Sequence, residues 1–444
     1  MEVKLEQKDA SDWVYRGEGA VNLVLAYSGS SPVFIGKVMR ILKVAKNGDS
    51  GCLGNEQVLT EEERLLWKVC KELVSAPTKE QAQLIYVQRI ISPLLGPEHV
   101  DPGLHVPVSR EFLQSIEKKV ISQRPAWRVD AAKIDTQQDY VLLMSDHSLF
   151  QGMDKVGSCI SVEIKPKCGF IPDSRFIAER NAIKKKITRF RIHQVLKLQQ
   201  QEVSELSQYD PLDIFSNSKE KIYKAVNDLF ITPQNNFRIF LNGSLILGGL
   251  GGSTNKTSKL VEEAFEDALK GVIEADDGLR TTSFLELVAE TLYGSKVLDR
   301  LVEAQKLDNY DIEGAIHAYY DMISQPCMVC RELDEGVPNT YTSLHSIPMD
   351  ESLKIVRDYL ISATAKDCSM MISFRPKEGG DLGSPYGSIY LQPTNQNFDY
   401  KVNFLDLDLK PLKKMEEYYE KDKKIVDMYV QMEENQNHME DKRL

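Results

Sequence analysis

An α/β (α+β) chain of two lobes, the N-terminal one smaller, is predicted by three observations. Residues 13–42 hold three short apolar strands punctuated by glycine. The apolar strand Tyr140–Met144 runs into the polar stretch Ser145-Asp146-His147-Ser148. Beyond it, segments of helical period alternate with strands up to a charged C-terminal helix. The 444 residues suffice for two or three packed units. A boundary just past Met144 gives an N-terminal lobe over 1–147, a C-terminal lobe over 148–432 and a polar tail, 433–444, expected to be disordered.

Composition narrows the function classes. With 42% hydrophobic and 27% charged residues, the chain reads as an ordinary globular protein. A net charge of −11 argues against a general nucleic-acid or anionic-membrane binder. No apolar run approaches a bilayer span, and the N-terminus lacks the basic flank and apolar core of a signal peptide. Seven mostly scattered cysteines fit a reducing compartment, so an intracellular location, cytoplasmic or nuclear, is expected. No surplus apolar face is evident, and a monomer is expected.

In chain order, Trp13–Tyr27 is a strand, the turn Gly17-Glu18-Gly19 and a second strand. Glycine lets a backbone approach phosphates because it has no Cβ in the way. A plain hairpin turn explains the same residues. The third strand, Phe34–Leu42, carries Lys37 and Arg40, and a basic residue there resembles the small lobe of protein kinases. Lys43–Thr60 is read as a polar loop. Helices are predicted over Glu61–Leu73 and over Lys79–Ile91, the latter stopped by Pro93. The polar residues after Met144 form a candidate hinge for an adenine edge.

The segment Ser161–Phe170 reads SVEIKPKCGF. As a strand it would put Glu163, Lys165 and Lys167 on one face. Such charges need partners when buried, and a phosphorylated ligand is one; an exposed edge strand is the alternative. From Glu163 to Lys197 ten Lys/Arg face three Asp/Glu, a local +7. In the predicted helix Ile187–Leu198, Ile187, Val195 and Leu198 form the apolar face, and Arg189, His193 and Lys197 form a basic stripe. The stripe is either a solvated face or, beside the preceding strand, an anion site.

Pro233–Gly249 is a hairpin about Asn242-Gly243, with Asn235 and Arg238 at its entrance. Gly248–Ser258 lacks the Gly-Lys-Ser/Thr ending of a P-loop and is read as a surface loop. Helices follow at Leu260–Ile273, Ser283–Leu307, Asp311–Ile323 and Glu351–Ala365. Cys327 and Cys330, with His317 before and His345 after, make a tetrahedral zinc set; a redox dithiol or an idle pair are the rivals. Tyr400–Lys410 alternates so that Asp406, Asp408 and Lys410 share a strand face. The aspartates, about 7 Å apart, could hold magnesium or simply form a polar outer face. A charged helix, Lys413–Met432, closes the chain.

Taken together, RGEGAVNLV, SVEIKPKCGF, the Arg189–Lys197 pattern, TPQNNFR, TAKDCSMMISF and DLDLKP resemble the inositol-pentakisphosphate 2-kinases, most closely the plant enzymes, over nearly the whole chain. The resemblance implies a two-lobed kinase-like fold with a helical inositol-phosphate-binding insertion and a zinc site. It implies transfer of the ATP γ-phosphoryl group to the 2-hydroxyl of inositol 1,3,4,5,6-pentakisphosphate, giving inositol hexakisphosphate (phytate). It places Gly17, Glu18, Gly19, Ala20, Asn22 and Arg40 over the nucleotide, Asp146 and His147 at its adenine, and Glu163 at its ribose. Asp406 would hold Mg2+, Lys165 would bridge nucleotide and substrate, Arg238 would meet the transferring phosphate, and Asp367 would accept the hydroxyl proton. Arg128, Lys167, Arg189, His193, Lys197, Asn235, Lys410, Lys414 and Tyr418 would cage the substrate, and His317, Cys327, Cys330 and His345 would bind Zn2+. The chain departs from that family at Ala45 and Lys414, where relatives carry arginine, which bears on affinity more than on activity. A non-catalytic inositol-phosphate sensor is the alternative; it would lack Asp367 or Asp406, and both are present.

Overall fold

The computed structural model describes residues 4–19, 21–46, 58–150, 158–249, 256–332, 339–377 and 384–441. They form a mixed α/β protein with two antiparallel sheets and many helices. The first sheet contains β1 (Trp13–Glu18), β2 (Asn22–Tyr27), β3 (Lys37–Ala45), β4 (Leu104–Pro107), β5 (Ala132–Ile134) and β6 (Tyr140–Ser145). Its order is β1-β2-β3-β6-β4, with β5 paired to the end of β3. The second contains β7 (Ile160–Ile164), β8 (Phe237–Leu241), β9 (Ser244–Leu247), β10 (Ser369–Pro376), β11 (Gly387–Leu391) and β12 (Gln396–Leu405). It runs β11-β12-β10-β7-β8-β9.

Each sheet has its own core. In the first, alternate residues Leu23, Leu25, Met39 and Ile41 point inward. They meet the Arg110–Val120 helix, which buries Phe112, Leu113, Ile116 and Val120 at i, i+1, i+4 and i+8. In the second, β7 is buried along its whole length. Ile160, Val162 and Ile164 join the larger helical core, while Ser161 and Glu163 face the other way.

Several elements differ from expectation. Strand β3 continues through Ala45, so Lys43 belongs to a strand rather than a loop, and residues 47–57 lie outside the described set. The predicted helix over Glu61–Leu73 is two short ones, Glu61–Leu66 and Lys71–Val74. Pro93 does not stop the Lys79–Tyr86 helix: a π turn over Val87–Ile91 places it in the first turn of Ser92–Leu95, where its missing N–H costs nothing, and Gly96 at φ +98° ends the run. The Ser283–Leu307 helix breaks at Lys296, φ 54°. The Arg189–Gln199 helix buries Phe190, Ile192, Val195 and Leu196, leaving Leu198 39% exposed, because it packs between the C-terminal helix and Tyr209. That C-terminal helix runs Lys414–Asp441, so residues 433–441 are helical rather than a disordered tail. Among the described residues no helix is long and apolar enough to cross a membrane.

Candidate active site

The two charged segments expected to be strands both begin where a strand ends. Strand β7 stops at Ile164; Lys165 donates its amide to Asn236 O at 2.9 Å, and Lys167 takes φ 63°. Strand β12 stops at Leu405, and Asp406 takes φ 61°. Side chains here are therefore aimed by turns and clamps, not by strand alternation. Both backbones are in a region that L-residues rarely adopt, a conformation typical of functional sites.

These ends open onto a cleft of about 500 Å³ between the two sheets. The β1–β2 turn supplies Gly17, Glu18, Gly19 and Asn22, and β3 supplies Arg40. Asp146 and His147 follow β6, and Glu163 and Arg238 come from β7 and β8. Lys165, Asn235, Arg128, Asp367, Asp406, Asp408 and Lys410 add to the polar lining, as do Arg16, Ser145, Ser148 and Ser369, with Val24, Val38, Met144, Phe240 and Met371 among the apolar walls. Ala20 lies outside the described residues.

The charges interlock. Glu163 and Arg238 are opposite each other in the β7–β8 register, with Arg238 Nη1 3.2 Å from Glu163 Oε2. Asp406 lies 3.1 Å from Lys165 Nζ and 3.4 Å from Arg40 Nη2, which also reaches Asp408 at 3.3 Å. Burial opposes ionisation of Asp406, but Lys165, Arg40 and Arg238 outweigh it and hold the carboxyl well below the usual range. Asp367 ends the long Met349–Asp367 helix, 3.7 Å from Lys167 Nζ and 3.5 Å from Lys410 Nζ. Its pKa is lowered too: burial opposes this, and Lys167, Lys410 and Lys165 prevail. Asn235 Oδ1 is buried without a hydrogen-bond partner.

Other expected residues are placed differently. Arg189, His193, Lys197, Lys414 and Tyr418 do not line this cleft; they lie on the Arg189–Gln199 and Lys414–Asp441 helices, which pack together. Arg189 pairs with Asp422, and Lys414 pairs at 2.6 Å with Glu417. Burial, with Lys197, Arg189 and Lys421 nearby, holds His193 down to about 3, so it stays neutral and adds no charge. Burial, then Asp367 and Glu417, pushes Tyr418 up to about 12. Burial, with Lys165 and Lys197 close, brings Lys167 down to about 8 although Asp367 opposes this.

The Glu18 carboxylate is engaged within the fold. Its side chain is fully buried, accepts from Arg124 Nε and Nη2 at 2.8 and 2.9 Å and pairs with Lys43, whose ammonium also donates to Gly19 O at 2.7 Å. It braces the glycine turn. The alternation Met39, Ile41, Lys43 signals this in the sequence, because it puts Lys43 on the buried face. Lys184, counted among the local +7, likewise faces inward: it contacts Asp311, Glu313 (2.9 Å) and Asp422 (2.7 Å), joining three segments in one buried cluster.

A second polyvalent site lies away from the cleft. Among the described residues, His317, Cys327, Cys330 and His345 bring four donor atoms within 4.8 Å of one another. His317 Nδ1 is 3.4 Å from each sulfur, and His345 Nε2 is 3.3 Å from Cys330 Sγ and from His317 Nδ1. A tetrahedral zinc with bonds of about 2.1 Å to nitrogen and about 2.3 Å to sulfur has edges of about 3.3–3.8 Å. The donor set fits. His345 Nδ1 also lies 2.6 Å from Asp321 Oδ1, the carboxylate support typical of a metal-bound imidazole.

Comparison with known proteins gives one family. Residues 15–424 match the inositol-pentakisphosphate 2-kinase family. An Arabidopsis thaliana inositol-pentakisphosphate 2-kinase is 57% identical over 441 residues, 98% of this chain and 97% of that protein. A relative of the same description from Oryza sativa subsp. indica is 49% identical, covering 97% and 96%. One from Danio rerio is 27% identical, covering 96% and 95%.

Proposed function

The chain belongs to the inositol-pentakisphosphate 2-kinase family, and from that premise we propose that it transfers the γ-phosphoryl group of ATP to the 2-hydroxyl of inositol 1,3,4,5,6-pentakisphosphate, forming inositol hexakisphosphate. The observation that carries this reading is the cleft itself, where Lys165, Arg40, Arg238 and Lys410 converge with the carboxylates Asp367 and Asp406. Phosphoryl transfer needs positioning and charge stabilisation more than covalent chemistry, and cations around two ionised carboxylates supply both.

The two sheets act as the small and large lobes of a kinase-like fold, with the nucleotide between them. The β1–β2 turn and Arg40 cover its phosphates. The apolar walls take the adenine beside Asp146 and His147, and Glu163 meets the ribose. Asp406, an ionised oxygen ligand at the cleft surface, is of the type that holds Mg2+; the bound ion would neutralise charge on the phosphate oxygens. Lys165 shifts from Asp406 toward the phosphates, and Arg238 stabilises the group in transfer. Asp367, ionised beside two lysines, orients the 2-hydroxyl and accepts its proton. Lys167, Lys410, Arg128 and Asn235 bind the substrate's other phosphates, with Lys197, Arg189, Lys414, Tyr418 and His193 from the paired helices. The His317, Cys327, Cys330 and His345 set holds a structural Zn2+, the chain works as a monomer, and its location is intracellular.

The test is incubation of the purified chain with Mg-ATP and inositol 1,3,4,5,6-pentakisphosphate, with products resolved by anion-exchange chromatography. Inositol hexakisphosphate and ADP should appear in equal amounts. Tight pentakisphosphate binding without product would make the protein a sensor instead.

A further inference from the structure

The two segments that aim the charged side chains have left their strands, yet each is held in the same way by one glutamine. Gln305, with no exposed surface, accepts from Gly169 N at 2.8 Å through Oε1. It donates through Nε2 to Lys167 O at 2.8 Å and to Ala365 O at 3.2 Å. Gln83, on the Lys79–Tyr86 helix, accepts from Leu409 N at 2.7 Å and donates to Leu407 O at 3.3 Å. In both cases one side-chain amide takes the C=O of residue i and the N–H of residue i+2, as a neighbouring strand would. The pseudo-strands so completed carry Lys165 and Lys167 in one case, and Asp406, Asp408 and Lys410 in the other.

We propose that Gln305 and Gln83 are positioning residues of the transfer reaction: Gln305 sets Lys167, and Asp367 two residues past Ala365, against the acceptor substrate, and Gln83 sets Asp406 against the nucleotide and its metal. This rests on the functional reading above. The geometry favours positioning over simple packing. A side-chain amide offers a donor and an acceptor side by side in one plane without a charge, which suits an i, i+2 backbone pair. Both target backbones flank positions of left-handed φ, Lys167 at 63° and Asp406 at 61°, which relax when nothing over-determines them. Additional contacts hold the same segments. Thr364 Oγ1 donates to Asp408 O at 3.1 Å, Leu412 N to Glu63 Oε1 at 3.0 Å, and Tyr209 OH to Pro166 O at 2.9 Å. Loss of one glutamine should therefore loosen a segment without unfolding the chain.

The experiment uses the full chain as Gln83→Leu, Gln83→Glu and Gln305→Leu. It follows steady-state kinetics in Mg2+ and in pentakisphosphate, thermal melting, and amide hydrogen exchange. Gln83→Leu should lower kcat by about tenfold and raise the half-saturating Mg2+ concentration, with a smaller rise in the pentakisphosphate KM, through Lys410, than Gln305→Leu gives. Gln83→Glu, which keeps the acceptor for Leu409 N but sets a carboxylate oxygen against Leu407 O, should recover only part of the loss. Gln305→Leu should instead raise the pentakisphosphate KM by about tenfold and leave the Mg2+ dependence alone. In a Lys167→Met background Gln305→Leu should add little further change in KM, because it acts through that lysine. Exchange should quicken at the Leu409 amide in one variant and at the Gly169 amide in the other. Equal losses in all kinetic parameters that track melting temperature, with exchange unchanged at those amides, would overturn the proposal. Should Gln305→Leu not fold, the Gln83 pair decides. Exchange and melting need no turnover, so a wild-type chain without kinase activity would refute the functional reading while these still judge the positioning claim.

Discussion

Lys167 gives the sharpest prediction, because its ammonium is only marginally held. Burial, with Lys165 and Lys197 nearby, brings it down to about 8, and Asp367 at 3.7 Å compensates in part. If only the protonated form grips a substrate phosphate, about nine-tenths of free protein is competent near pH 7 and about one-tenth near pH 9. Pentakisphosphate affinity should then fall about tenfold over that range, and binding near pH 9 should take up close to one proton. Substrate phosphates titrate as well, so the quantity to measure is the difference between wild type and Lys167→Met. Calorimetry in two buffers of different ionisation enthalpy gives both affinity and proton uptake. Stability moves the other way. The folded value lies below the unfolded one of about 10.4, so free-protein stability should rise between about pH 8 and about pH 10 while affinity falls. Identical affinity profiles for wild type and Lys167→Met, with no difference in proton uptake, would refute the assignment of Lys167 to the substrate site.

Three further predictions follow from the geometry. Asp367→Asn should abolish turnover while leaving ATP affinity nearly intact by calorimetry; substantial residual turnover would remove Asp367 from the proton-accepting role. Zinc analysis should give about one ion per chain, lost in Cys327→Ser together with several degrees of melting temperature, whereas equal zinc in the variant would refute the site. Lys184→Met removes the cation that three buried carboxylates share, leaving Arg189 on Asp422 alone, and should cost about 3–5 kcal/mol by denaturant unfolding. Asp311 is already held up to about 6, chiefly by burial and against Lys184; without the lysine it rises further, so the deficit should shrink as pH falls toward about 6 and the variant's carboxyl takes a proton first. A deficit that is constant from pH 5 to about pH 8 would count against the cluster.

The sequence made some of this legible and hid the rest for identifiable reasons. Elements ruled by local signals were readable: the Gly17–Gly19 turn between β1 and β2, the Asn242-Gly243 hairpin, and the Tyr140–Ser145 strand. The candidate site residues follow from motif order, since Lys165 and Asp406, with Asp367 between, lie 241 positions apart and no periodicity joins them. What escaped depends on tertiary partners. Period-two alternation over Tyr400–Lys410 marks sidedness, and Asp406, Asp408 and Lys410 do line the cleft, but the strand itself ends at Leu405. Whether a lysine in a basic run meets solvent, substrate or a buried carboxylate depends on segments far along the chain, as Lys184 and Asp422 show. Gln83 and Gln305 carry no sequence signal, because a neutral amide in a helix is unremarkable until the backbone it grips is seen.

The Lys414–Asp441 helix has a consequence for the timing of synthesis. It is made after every strand described above, and it delivers Tyr418 beside Asp367 and Asp422 to the Lys184 and Arg189 pair. Until it leaves the ribosome, those two cations have lost a buried counter-charge and the Arg189–Gln199 helix lacks the Ile425 it packs on. Both sheets can form earlier, since all their strands lie before residue 406. A message truncated after β12 would therefore yield a chain with both sheets but with its basic helix unsupported, and that support arrives only with the Tyr418–Ile425 stretch of the later helix.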